Sequence, residues 1–243
     1  MLNKLKNILK NKGNDNDFKN QYLHHSYSQV GEDIIVEFIF KHILKQNEFT
    51  YMDVGAHHPF YLSNTALFYE KGFKGISIEP DPNLCSLIKK YRTNEVCLNI
   101  GIMFNEVVNI KQEIDFYVMS ATTLNTFSKE EAERLDNEGT YKITDIKKIE
   151  VQHLHSIFKK YFLPDFISID VEGLDREIIS SIDFDKYRPK VICIESLDFS
   201  PDGSENNKNF SIIEYLKNKN YYLYADTNIN SIFIDKNLLK FGF

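Results

Sequence analysis

At 243 residues and 42% hydrophobic content, the chain is long enough for one large packed unit or two small ones. A net charge of -6, with no basic patch or aromatic–basic stripe, argues against a nucleic-acid binder. No run reaches the roughly 20 apolar residues of a membrane span, which excludes a transmembrane segment. The first residues also lack the apolar centre of a secretory signal.

Residues 1–25 read as a polar arm. Lys4, Lys6, Lys10, Lys12 and Lys19, with Leu2, Leu5, Ile8 and Leu9, fit a basic amphipathic helix. Such a helix could touch a membrane surface; the plainer readings are a frayed helix or one lying on a neighbouring chain of a homo-oligomer. Residues 26–243 read as a single domain. Asp33 opens a helical pattern through Ile34, Ile35, Phe38, Ile39, Ile43 and Leu44. Tyr51 to Val54 is a short β-rich run, and a loop with Gly55 and Pro59 follows it. The stretch Asn64 to Lys71 reads as a helix with Ser63 as N-cap and Gly72 as its stop. A second strand from Gly75 ends on Glu79, a helix spans Pro82 to Tyr91, and Val96 to Ile100 is a third strand.

Residues 107–119 alternate as one or two antiparallel strands, Ser128 to Asn137 is an exposed helix, and Ile149 to Gln152 a short strand. A helix from His153 to Phe162 precedes a fourth parallel strand, which runs from Asp165 into Asp170, Glu172 and Gly173. After the helix through Ile178, Ile179 and Ile182, the fifth strand ends at Glu195, and its unbroken apolar run predicts burial on both faces. Asp198 to Asn209 is polar and reads as a mobile loop. Phe210 to Lys219 is helical, and Tyr221–Ala225 with Ser231–Asp235 makes a terminal hairpin. Cys97 and Cys193 fall in apolar runs, and no CxxC occurs, so the three cysteines read as reduced thiols of a cytoplasmic protein.

Strand, glycine turn, helix, strand and terminal acid within about thirty residues make a nucleotide-binding βαβ unit, with Glu79 placed for ribose hydroxyls. A dinucleotide site would show GxGxxG, whereas this turn offers only Gly55. Close approach of a pyrophosphate needs the missing glycines; S-adenosylmethionine carries no phosphate. Alternating strands and helices imply a mostly parallel, doubly wound α/β sheet. With an antiparallel hairpin at its C-terminal end, that sheet resembles the Rossmann-like class I methyltransferase fold.

Five motifs in order sharpen the resemblance: Ser28-Gln29-Val-Gly31-Glu32-Asp33, Asp53-Val-Gly55-Ala-His57, Ser63-Asn64-Thr65 with Phe68-Tyr69, Ile78-Glu79-Pro80, and Ile169-Asp170-Val-Glu172-Gly173 with Asp175. Together they resemble the FkbM family of S-adenosylmethionine-dependent methyltransferases over roughly residues 26–200. That family typically methylates hydroxyls of sugars or of sugar-bearing and polyketide products. The resemblance therefore implies an O-methyltransferase for a sugar or nucleotide-linked sugar in capsule or surface-polysaccharide synthesis.

On this resemblance Asp53 and Gly55 would shape the turn under the methionine part of the cofactor, and Glu79 would accept from both ribose hydroxyls. Ser63, Asn64 and Thr65 would hold its carboxylate at a helix start. Asn99 and Gly101 would lie near adenine, although Asn99 could equally cap a turn. Gln29, Glu32 and Asp33 would fold over the cofactor, with helix capping by Asp33 the alternative. A sugar hydroxyl needs help to ionise, from a general base or a divalent cation. Asp170 and Glu172 are the first candidates and His58 another, while His57 could simply orient its loop. Asp170, Glu172, Glu195 and Asp198 at adjacent strand ends would suit a hard cation such as Mg²⁺, Mn²⁺ or Ca²⁺. Alternatively Glu172 and Glu195 point to solvent or pair with Lys190 and Arg188. The rival functions are methylation of a small phosphorylated or amine acceptor, a non-catalytic cofactor-binding module, and a nicotinamide reductase.

Overall fold

The computed structural model describes residues 20, 23–105, 112–198 and 207–239. The expected basic helix of the arm, the start of the 107–119 strand region and most of the 198–209 loop lie outside the described residues.

Helix α1 (Glu32–Phe38) continues as a π-helical turn over Ile39–Ile43, so the predicted helix is present with its last turn widened. Then follow β1 (Tyr51–Val54), α2 (Ala66–Glu70), β2 (Gly75–Ile78), α3 (Pro82–Tyr91) and β3 (Val96–Leu98). Helix α2 is shorter than its sequence signals suggest. Ser63 Oγ still accepts from the amides of Thr65 (3.3 Å) and Ala66 (3.2 Å), and Gly72 (φ 76°) ends the turn. A small sheet intervenes, made of β4 (Gly101–Met103), β5 (Gln112–Met119) and β6 (Ile143–His153), with α4 (Lys129–Glu138) packed against it through Ala132 and Leu135. In this sheet β4 runs parallel and β5 antiparallel to β6. The sequence suggests only Ile149–Gln152 for β6. Lys147, Lys148 and Asp145 break the apolar signal of its first half, which pairing with β5 nevertheless holds as strand.

The main sheet resumes after α5 (Leu154–Lys160) with β7 (Phe166–Ile169), α6 (Asp175–Ser180) and β8 (Val191–Glu195). A two-residue ladder of β9 (Leu197–Asp198) with β10 (Asn207–Lys208) precedes α7 (Phe210–Asn218) and the hairpin of β11 (Tyr221–Asp226) and β12 (Asn230–Asp235). The seven strands lie in the order β11-β12-β8-β7-β1-β2-β3. Strands β3, β2, β1, β7 and β8 are mutually parallel, while β12 inserts antiparallel beside β8. This is the class I methyltransferase arrangement, with the hairpin where the sequence places it.

Period-two alternation sends neighbouring side chains to opposite faces. Tyr51, Phe166 and Val191 meet Val36, Phe40 and Phe68 of α1 and α2 on one face. Met52, Ile167 and Ile192 meet Ile157, Ile178, Ile212 and Leu216 of α5, α6 and α7 on the other. Burial on both faces explains the unbroken apolar runs. All three cysteines are buried free thiols.

Candidate functional site

The parallel strands deliver their C-terminal ends to one edge of the sheet, and the chain turns sharply there. Gly55 has φ 83°, and a Cβ on it would stand 1.7 Å from the carbonyl oxygen of Asp170. Only glycine meets both demands. The amides of Gly55 and Ala56 donate to Ile78 O (3.0 and 3.1 Å), and Asp170 N donates to Val54 O (3.0 Å). The ends of β1, β2 and β7 are thus tied together beneath a cavity of about 500 Å³, within the ~300–1,000 Å³ range of small-molecule sites.

Glu79 stands at the tip of β2, 4% exposed, inside this cavity. Its Oε2 accepts from His57 N (2.7 Å) and its Oε1 from Asp81 N (2.7 Å). Each carboxylate oxygen keeps a lone pair for a further donor. Burial pushes its pKa up to about 8, against the pull of those two amides. Asp53, also buried in the wall, accepts the Thr65 hydroxyl on Oδ2 (2.6 Å), and burial raises it to about 6. Behind Asp53 lies Arg92, 1% exposed. It donates to Thr65 Oγ1 (3.0 Å), Ser63 Oγ (2.7 Å) and Pro59 O (2.7 Å), and pairs with Glu95 at 3.4 Å. Glu95 in turn accepts from Tyr51 and Ser77.

Asp170 and Glu172 reach the cavity from the end of β7. Neither carboxylate has a protein hydrogen bond among the described residues. Burial first, then the charges of Asp175, Asp53 and Glu32, lift Asp170 to about 7. Glu172, at φ 53°, is raised well above its ordinary range by burial and then by Asp170 and Asp175. The ion-paired alternative for the acids is not seen with the basic partners considered: Lys190 binds Asp165 (2.9 Å) and Arg188 binds Asp235 (2.7 Å). A second cavity of about 330 Å³ adjoins the first, and both share Glu172 and Glu195 as walls.

The match to known families decides what the cavity belongs to: residues 53–223 match the Methyltransferase FkbM domain. The chain belongs to the FkbM methyltransferase family. It is a methyltransferase of the S-adenosylmethionine-dependent class. No curated protein matches its sequence. Among solved structures it is similar to monomeric WbdD, at 10% identity and a TM-score of 0.44 over 84% of this chain; it spans 40% of the length of that protein. It is also similar to a TehB-like SAM-dependent methyltransferase from Corynebacterium glutamicum (10% identity, TM-score 0.39, 85% of this chain and 88% of that one). The O-methyltransferase from Bacillus cereus in complex with SAH gives 10% identity and a TM-score of 0.38, over 90% of this chain and 87% of that one.

In this FkbM methyltransferase, Gln29, Asp53, Gly55, Ser63, Asn64, Glu79, Gly101, Asp170, Glu172 and Glu195 all line the main cavity. Thr65 stands one layer behind, between Asp53 and Arg92. Asp33 does not line the cavity: its carboxylate accepts from Ser26 Oγ (2.6 Å), Tyr27 N (2.7 Å) and Ser28 Oγ (3.0 Å), and so shapes the loop that carries Gln29. Glu32 accepts from Val30 N, Thr227 Oγ1 and Asn230 Nδ2. Those bonds outweigh burial and hold it below the usual carboxylate range. Asn99 takes the capping alternative, its amide donating to Glu79 O (2.9 Å) and Pro80 O (2.8 Å).

The two histidines stand in different places. His57 lines the cavity and meets Thr122 Oγ1 at 3.0 Å through Nε2. His58 does not line it; its Nδ1 accepts from Phe60 N and Tyr61 N (3.2 and 2.8 Å), which fastens a turn. The side chain of Asp198 lies outside the described residues, and among the described residues no group of three His, Cys, Asp or Glu side chains could hold a metal ion. Sequence reasoning missed Arg92 and Glu95, as well as the Phe116, Phe127 and Thr122–Leu124 wall supplied by the small sheet. The one available signal for Arg92 was its position at the end of an otherwise amphipathic helix.

Proposed function

We propose that this enzyme, with residues 26–243 acting as one cytoplasmic domain, methylates a hydroxyl of a sugar or nucleotide-linked sugar in capsule or surface-polysaccharide synthesis. The observation that carries the O-methyl reading is Asp170. Its carboxylate, with no hydrogen-bond partner among the described residues, lines the cavity and titrates near neutrality, which suits a general base for a hydroxyl proton. The residues present fit S-adenosylmethionine: Glu79 retains acceptor capacity for two ribose hydroxyls, and the Gly55 turn, closed against the Asp170 carbonyl, adds no side chain to the cavity wall. When bound, this cofactor supplies an electrophilic methyl group on a sulfonium. The chain's own residues orient the two partners. Ser63 and Asn64 would hold the cofactor's carboxylate and Gln29 would cover it; Asp170 would take the proton of the acceptor hydroxyl as the methyl leaves the sulfonium for that oxygen, with S-adenosylhomocysteine as the departing thioether. The acceptor would approach from the second cavity, past Glu172 and Glu195, with Glu172 helping to place its hydroxyl.

Calorimetric titration with S-adenosylhomocysteine, run with added Mg²⁺ or Mn²⁺ and with chelator, tests the cofactor and any cation dependence. Methyl transfer from labelled cofactor to a panel of nucleotide sugars, free sugars, small phosphates and amines then tests the acceptor. The expected result is cofactor binding and label in a sugar hydroxyl. Label in the phosphates or amines alone would overturn the sugar reading, and no binding at all would revive the nicotinamide alternative.

A further inference from the structure

Arg92 lies at the C-cap of α3, yet it is among the most deeply buried side chains of the molecule. Its guanidinium reaches two hydroxyls on the loop before α2 at once: Nη1 donates to Thr65 Oγ1 (3.0 Å) and Nη2 to Ser63 Oγ (2.7 Å). A guanidinium has no acceptor, so both hydroxyl oxygens must receive. Each hydroxyl has one proton, and accepting from arginine fixes where that proton can go. That of Thr65 points to Asp53 Oδ2, 2.6 Å away. Ser63 Oγ also accepts from Thr65 N (3.3 Å) and Ala66 N (3.2 Å), so its lone pairs are filled and its proton is all it can offer. Among the described residues the remaining acceptor is Thr65 Oγ1 at 3.4 Å, a long contact that an incoming carboxylate outcompetes.

We propose that Arg92 is a positioning residue for the cofactor's amino-acid end: by donating to Ser63 and Thr65 it forces Ser63 to present a proton to the cavity and Thr65 to hold Asp53 by its outer oxygen. Arg92 touches no ligand; it acts through the two hydroxyls that line or back the wall. Ser63 then offers a donor to a carboxylate, and Asp53 keeps Oδ1 for an ammonium group. A zwitterionic amino acid presents this pair of charges. The inference rests on the cofactor reading given above, and it adds what decides the direction of the hydrogen bonds there. With a neutral residue at position 92, Ser63 Oγ would lose its shortest donor (2.7 Å) and keep only the longer amide contacts from Thr65 and Ala66 (3.3 and 3.2 Å), so its proton would be aimed less firmly at the cavity.

Two probes separate this role from mere packing: S-adenosylhomocysteine, which carries the amino-acid end, and methylthioadenosine, which lacks it but keeps the adenine and ribose. Arg92→Lys keeps the charge but loses the fork that reaches two hydroxyls. The expected result is a loss of about tenfold or more in affinity for S-adenosylhomocysteine, with methylthioadenosine changed by less than about twofold. An equal loss for both probes, or no loss for either, would overturn the proposal. If Arg92→Lys does not fold, Ser63→Ala reads the same relay with the arginine left in place and should show the same selective loss; an unselective effect there overturns it too. Wild-type protein that binds neither probe refutes the cofactor reading itself, and the proposal with it.

Discussion

The carbonyl oxygen of Asp170 occupies the place where a side chain on Gly55 would begin, 1.7 Å from the ideal Cβ. The residue that carries the candidate base is therefore packed directly on the turn that opens the main cavity. Gly55→Ala must either push Asp170 outward or abandon φ 83°. The left-handed conformation alone costs about 1–2 kcal/mol for a non-glycine residue, and the overlap adds to it. A thermal midpoint lowered by roughly 5 °C or more is expected, together with weaker S-adenosylhomocysteine binding. An unchanged midpoint and affinity would refute the tight packing.

Glu79 should report the cofactor through protons. In the free enzyme burial keeps it protonated up to about pH 8, while two ribose hydroxyls donating to it favour the ionised form. Binding at neutral pH should therefore release a proton. Calorimetry in buffers of different ionisation enthalpy measures that release directly. Glu79→Gln should abolish it and weaken binding by about ten- to a hundredfold; a proton release that survives the substitution would place its source elsewhere.

The ligand-free protein should lose stability as pH rises. Asp53, Glu79, Asp170 and Asp175 all have pKa values raised above 3.8 or 4.5, to about 6, 8, 7 and 6. A raised folded-state value stabilises fully below the unfolded value and is lost as pH climbs through the folded one. Glu32 and Asp165 are lowered, so their opposing contribution is complete before that window begins; His57 and His58, lowered by burial, and Cys85, lowered to about 7, oppose the trend within it and make the fall shallower. The thermal midpoint should fall between about pH 5 and pH 8, and saturating S-adenosylhomocysteine should flatten the slope. A midpoint that rises across this interval would contradict the burial of these acids.

Asp170→Asn should separate binding from chemistry. The amide cannot accept the acceptor's proton, so turnover should drop by about a hundredfold or more while S-adenosylhomocysteine still binds. In the wild type, activity should rise with pH through about 7, where Asp170 loses its proton; in the variant that rise should vanish. Full turnover by Asp170→Asn would remove it from the mechanism.

The parts of this enzyme that were legible in the sequence are those written locally. Strand ends carrying Asp53, Glu79 and Asp170 follow apolar runs, and Gly55 follows one of them, so both the parallel sheet and the cavity edge could be read. The antiparallel hairpin could be read from its own turn. What stayed hidden depends on residues far apart. Arg92 looks like a surface cation at a helix end, and nothing near it announces that Glu95, Ser63 and Thr65 will close around it. The first half of β6 is polar because one face meets water, so its strand character comes from β5. His57 and His58 are adjacent, and only the positive φ of His57 decides which of the two enters the cavity.

The bond from Thr227 to Glu32 joins residues 195 positions apart, and that from Asn230 joins residues 198 apart. Between those two partners, Asn228 and Ile229 form one lip of the cavity, and Gln29 forms the other. The pocket is thus clasped by two segments far apart in the sequence, and it is complete only when both are folded against each other. The same geometry sets the smallest useful unit. A chain trimmed to residues 53–223 would keep the family signature and most of the sheet, yet it would have neither half of the clasp.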